Sequence, residues 1–149
     1  MSLKDFLEAH RPMGGRVNLM TTEVASLLGR PAGRINTPDV VPKGWGAEYI
    51  YANGEYCMKI LYFAANARVR HTSMHFHIQK HETLLVLEGE LVLKYIVDKE
   101  VETTVLHAGT AWTVPPGHPH RLQSLDPSTP LIIMETSTHD DQADSIRID

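Results

Sequence analysis

The chain has 149 residues, 42% of them apolar, a formal charge of −4 and a pI near 6.1. This is the size of one folding unit with enough apolar content for a core, and the missing basic field argues against a nucleic-acid partner. No apolar run approaches the ~20 residues that cross a bilayer. The single cysteine, Cys57, rules out an intrachain disulfide, and with no apolar leading segment the expected location is the cytoplasm.

In chain order, Ser2 caps a predicted helix over LKDFLEAH, which carries Leu3, Phe6 and Leu7 on one side and ends near Pro12. Thr21 or Thr22 caps a second over EVASLL, with Glu23 in its first turn and Gly29 as its stop. Residues 30–46 hold three prolines and three glycines without periodicity and read as a loop. From Ala47 the character changes. EYIY, YCMKILYFA, TLLVLEG, ELVLKYIV, VETTVLHA, AWTV, HRLQSL and PLIIMETS read as strands. Turns fall at Glu88-Gly89, Asp98-Lys99-Glu100 and Pro115-Pro116-Gly117. Short strands at steady spacing predict an all-β sandwich or barrel over 46–138. Residues 1–45 are expected to be an extension packed outside it, at a subunit interface, because two short helices and a loop have too little apolar surface to fold alone. Residues 139–149 read as an acidic, partly ordered tail.

Two blocks carry the chemistry. In MHFHIQKHETLLVLEG, His75 and His77 alternate as residues on one face of a strand do, and Glu82 and Gly89 follow. In GTAWTVPPGHPH, Gly109 is followed by Pro115, Gly117 and His120. A bend between Ile78 and His81 returns Glu82 to the face of the two imidazoles, and His120 arrives from another hairpin. Three neutral imidazoles and one carboxylate suit one divalent transition metal, with Mn, Zn, Ni, Fe and Co all open. They leave the ion near +1 with about two free positions in an octahedral shell, enough for a chelating hydroxy-carbonyl compound or for a substrate plus O₂. His71 joins that face only if the strand extends back to it. His81, His118, His107, His10 and His139 read as rim or surface histidines, and Cys57 as a small core residue. Lys80 lies two residues before Glu82 and faces the same cavity. Burial beside a metal is expected to disfavour its charged form and prepare it for proton transfer.

The spacing of the two blocks resembles the cupin superfamily. His75, His77, Glu82 and Gly89 match its first motif; Gly109, Pro115, Gly117 and His120 match its second. Val69 stands where a Gly often opens the first motif, and Ser124 where an Asn usually closes the second. The resemblance implies the double-stranded β-helix, or jelly-roll barrel, a metal held by those three His and the Glu, a small-molecule substrate and a homodimer. More locally, Met74, His75, Phe76, His77, Lys80 and Glu82 resemble the metal motif of D-lyxose isomerases, which implies aldose–ketose isomerisation with Lys80 as the catalytic residue. KGWG at 43–46 and the closing PLIIMETSTHDDQADSIRID are similar to the cupin domain of type II phosphomannose isomerases, which implies substrate contacts at Lys59 and Arg147. The same ligand set serves cupin dioxygenases and non-catalytic binding cupins, so those classes stay open. A polar cavity favours the sugar, and an aromatic one favours oxidation.

Overall fold

The computed structural model describes residues 2–9 and 36–149. The predicted helix over EVASLL and most of the region preceding Asn36 lie outside them. The first helix, α1 (Leu3–Ala9), forms where its cap predicts. The Ser2 Oγ accepts from the Asp5 N–H at 3.1 Å, and the Asp5 carboxylate accepts from the Ser2 N–H at 3.1 Å. Its Phe6 ring lies over Gly109, where a Cβ would collide with it.

Eleven strands follow: β1 (Asp39–Lys43), β2 (Gly46–Asn53), β3 (Cys57–Phe63), β4 (His75–His77), β5 (Glu82–Glu88), β6 (Glu90–Val97), β7 (Glu100–His107), β8 (Ala111–Val114), β9 (His120–Ser124), β10 (Leu131–Ser137) and β11 (Ser145–Arg147). They form a six-stranded sheet, β1-β2-β3-β10-β5-β8, and a five-stranded sheet, β11-β4-β9-β6-β7. All pairings are antiparallel. The architecture is the expected all-β jelly roll with a short helix before it. Two segments correct the sequence reading. The supposed loop contains β1, because Val40 and Val41 extend the edge of the larger sheet beside β2. The acidic tail is also ordered: Ser145, Ile146 and Arg147 pair with His77, Phe76 and His75.

Inward residues alternate along β3, β5, β9 and β10, as a half-buried strand requires. Leu61, Phe63, Leu84, Val86, Leu91, Leu93, Leu122, Leu131 and Ile133 fill the space between the sheets, and Trp45 stacks on Phe63 with ring centroids 4.3 Å apart. The turns follow their chemistry. Asp98 and Lys99 take positive φ of 50° and 70° between Val97 and Glu100, as a tight two-residue hairpin demands. Gly89 has φ +81°, and a Cβ there would come 2.6 Å from the Pro130 carbonyl oxygen. The apolar alternation stops toward one end of the barrel. In the same inward rows stand Lys59 on β3, Glu82 on β5, His120 on β9 and Glu135 on β10, all buried. That polar end is the site.

Candidate metal centre

His75 and His77 project from β4, and His120 on β9 lies directly opposite His75 in the ladder. Each imidazole offers a nitrogen, and the three nitrogens lie within 4.8 Å of one another. Glu82 enters from the facing sheet at the first residue of β5. Its Oε1 is 2.7 Å from His120 Nε2, and its Oε2 is 3.8 Å from His77 Nε2. The bend over 78–81 is held by Asp144, whose carboxylate accepts from the Gln79 and Lys80 N–H groups at 2.8 and 2.9 Å. The three imidazoles from one sheet and Glu82 from the other therefore meet, as the two motifs predict.

The residues fit a divalent ion on three observations. His77 has both ring nitrogens buried with no hydrogen-bond partner, a state that costs free energy unless something binds there. Nδ1 of His75 lies 2.9 Å from the Ser73 carbonyl oxygen, and Nδ1 of His120 lies 3.0 Å from that of His118. When those nitrogens donate, Nε2 of each ring is left for an ion. Finally, the ammonium groups of Lys59, Lys80 and Lys43 face the carboxylates of Glu48, Glu82, Glu135 and Asp140. Burial by itself would raise the Glu82 carboxyl, but the His120 hydrogen bond and the Lys80 charge outweigh it and keep Glu82 ionised, an anionic donor for a cation.

Lys80 departs from the sequence expectation. It is buried, as expected, but its Nζ contacts Glu82 Oε2 at 2.8 Å, Glu135 Oε1 at 2.8 Å and Asp140 Oδ1 at 2.9 Å. Burial by itself lowers its pKa; the charges of Glu135, Glu82 and Asp140 outweigh burial and hold it above the ordinary lysine range. Lys80 is a fixed cation, not a primed base. Lys59 is held charged in the same way by Glu135, Glu48 and Asp140. Glu135 moves in the opposite sense. Burial, and then the nearby Glu82 charge, push its pKa up to about 7 despite both lysines.

Glu135, Asp140 and Glu48 are the site residues that sequence reasoning missed. A signal existed for Glu135. In PLIIMETS it continues the inward alternation of Leu131 and Ile133, and a carboxylate on that row requires a partner. Asp140 lies in the segment read as tail, and it reaches Lys59 at 2.9 Å and Lys80 at 2.9 Å. Other readings hold as made. Cys57 is buried, and His81, His118, His107 and His139 are exposed. His71 is exposed as well, since β4 begins only at His75, and Thr72 lines the cavity instead. The cavity holds about 320 Å³. Lys59 and Arg147 both line it; Arg147 stands across from His75 and is exposed. Phe76 and Trp112 lie outside the lining, Trp112 against Tyr95 at 5.1 Å between ring centroids.

The imidazoles set the pH dependence of metal uptake. Burial, then the Lys80 charge, lowers His77 to about 4, and burial also lowers His75. These two stay neutral and open to metal in mildly acidic solution. Burial by itself would lower His120 too, but the hydrogen bond and charge of Glu82 raise it above the ordinary histidine value. Metal must displace that proton. Metal occupancy is therefore expected to fall with one proton as pH drops through the raised His120 value, starting above the ~6.5 of a free imidazole. Calorimetric titration of the native protein with Co(II) at several pH values checks this; uptake that releases no proton below that value assigns the step elsewhere.

The Cupin family model matches residues 62–147, more than half of the chain. No curated protein sequence matches significantly. Among solved structures, the capsular polysaccharide assembling protein CapF from Staphylococcus aureus superposes with a TM-score of 0.64 at 15% identity, covering 75% of this chain and 34% of that one. Oxalate decarboxylase from Bacillus subtilis, a protein with Mn(II) centres, superposes with a TM-score of 0.60 at 17% identity, covering 74% and 30%. An oxalate oxidase solved with the substrate analogue glycolate gives a TM-score of 0.53 at 17% identity, covering 63% and 46%. This chain thus spans about a third to a half of the length of these structures, and at such identities the likeness speaks for the fold. With the family model over its barrel and the ligand motifs converging inside it, this chain belongs to the cupin family.

Proposed function

We propose that the protein is a metal-dependent enzyme interconverting an aldose and a ketose, free or phosphorylated, in the manner of a D-lyxose isomerase. The observation that carries this reading is the character of the cavity. Beside the three imidazoles stand Lys59, Lys80, Glu48, Glu135 and Asp140, while Phe76 and Trp112 lie outside. A polyol needs donors and acceptors around it, and this lining supplies both, with Trp45 as its aromatic side chain besides the imidazoles.

A divalent ion held by His75, His77, Glu82 and His120 supplies Lewis-acid polarisation of a carbonyl oxygen. Lys80, fixed and charged, spends its three N–H groups on Glu82, Glu135 and Asp140 and so holds the ligand and the base in place. Glu135, with an affinity for protons near neutrality, takes the proton from the carbon next to the carbonyl and returns it to the neighbouring carbon. One C–H bond breaks and one forms at the former carbonyl carbon, the hydroxyl proton passes to the former carbonyl oxygen, and no oxidant is consumed.

Elemental analysis of the native protein, followed by a panel of aldoses and ketoses in an oxygen-electrode cell, tests this. The expected result is a bound divalent metal and isomerisation without O₂ uptake. Metal-loaded protein that isomerises no sugar but consumes O₂ with a phenol or thiol overturns it in favour of a dioxygenase.

A further inference from the structure

Of the three imidazoles, His77 alone lacks a backbone carbonyl at Nδ1, since Ser73 serves His75 and His118 serves His120. The group facing that bare nitrogen is Asp144 Oδ2, 3.9 Å away, with the two side chains 6% and 11% exposed. Asp144 lies outside both metal motifs, 67 positions beyond His77, in the turn Gln142–Asp144 that leads into β11. The same carboxylate holds the Gln79 and Lys80 N–H groups, so it fixes the bend that separates His77 from Glu82. Meanwhile β11 supports β4 along its whole length, pairing with His75, Phe76 and His77, whereas β9 meets β4 only at His75.

We propose that Asp144 is a positioning residue of the metal centre, completing a carboxylate–histidine pair with His77, and that β11 is the strap that delivers it. The inference rests on the metal-binding reading of the four ligands. An imidazole that ligates through Nε2 carries its proton on Nδ1, and an ionised carboxylate is the strongest partner for that proton. The separation is about 1 Å longer than a charge-assisted hydrogen bond. A rotation of the imidazole about its Cβ–Cγ bond changes it without moving the backbone. Such a partner makes the ring a better donor and sets its orientation. The arrangement also couples the end of the described chain to the site: ligand strand, bend and outer carboxylate are all held by residues 141–149.

Cobalt(II) binding to the full chain tests this, followed by calorimetry and by the visible spectrum of the ion, with ¹⁵N NMR of the His77 ring in the zinc-loaded protein. Two variants are compared, Asp144→Asn and Asp144→Ala. Asn keeps one acceptor for the bend but has no charge for His77. The expected result is a stability for Asn between native and Ala, but a cobalt affinity as low as that of Ala, about 10–100-fold below native. The protected His77 Nδ1–H signal is expected in the native protein and absent from both variants. Cobalt affinity in Asp144→Asn equal to native overturns the inference and leaves the metal site standing, as does affinity that merely tracks stability across the series. If the native protein takes up neither ion, the metal reading and this inference fall together.

Discussion

Replacing Lys80 with Met is expected to lower the melting temperature by roughly 10 °C and turnover by about 10–100-fold. Lys80 is 4% exposed and is the shared partner of Glu82, Glu135 and Asp140. Taking away one partner of a buried ion pair costs about 3–5 kcal/mol, because the charge left behind has lost both water and counter-ion. Met fills similar space, so the loss reads the charge rather than a cavity. Metal affinity is expected to fall as well, since the ammonium group holds one oxygen of Glu82 at 2.8 Å and outer partners of a ligand are worth about 10–100-fold. The double variant Lys80→Met, Glu135→Gln separates the causes. Removing the stranded carboxylate together with the cation is expected to recover part of the stability and none of the activity. Thermal unfolding and turnover of the native protein and the two variants check this. A single variant that melts with the native protein shows that the ion cluster contributes nothing to folding.

Substituting Ala for His77 is expected to abolish metal binding at concentrations that saturate the native protein. Outer partners of a ligand already cost about 10–100-fold in affinity, and loss of the ligand itself costs more. The measurement is the thermal shift on adding metal. Binding to the folded state alone stabilises by about 2.7 kcal/mol when the ion is at 100 times its dissociation constant. The native protein is expected to show that upward shift, and His77→Ala none. Without metal the variant is expected to lose less than a usual large-to-small change. It leaves a space, but it also removes two buried ring nitrogens that have no partner. An undiminished metal-induced shift in the variant excludes His77 as a ligand.

Much of this site was legible in the sequence because its information is local. His75 and His77 share a face through the two-residue period of a strand, and the glycines and prolines of GTAWTVPPGHPH mark the turn before His120. The strands from Ala47 to Ser137 were legible for the same reason: alternation and turn chemistry are written in consecutive residues. Fold class, barrel and the meeting of the three imidazoles follow from these patterns without a partner being specified.

What the sequence by itself could not determine is charge balance, which depends on residues that meet only after folding. Lys80 reads as an amine beside a metal, a setting that lowers its proton affinity; three carboxylates from β5, β10 and the segment after β10 reverse that sign. Asp140 and Asp144 read as part of an acidic tail, because nothing in HDDQADSIRID alternates for long enough to announce a strand. Only β4, a short strand with a free edge, turns Ser145–Arg147 into β11 and brings Asp144 within 3.9 Å of His77. The valines of β1 likewise became a strand because the edge of β2 had unpaired backbone groups to satisfy. Strand periodicity is a property of neighbours in the chain; ion pairing and edge pairing belong to neighbours in space, and the tertiary structure alone chooses those.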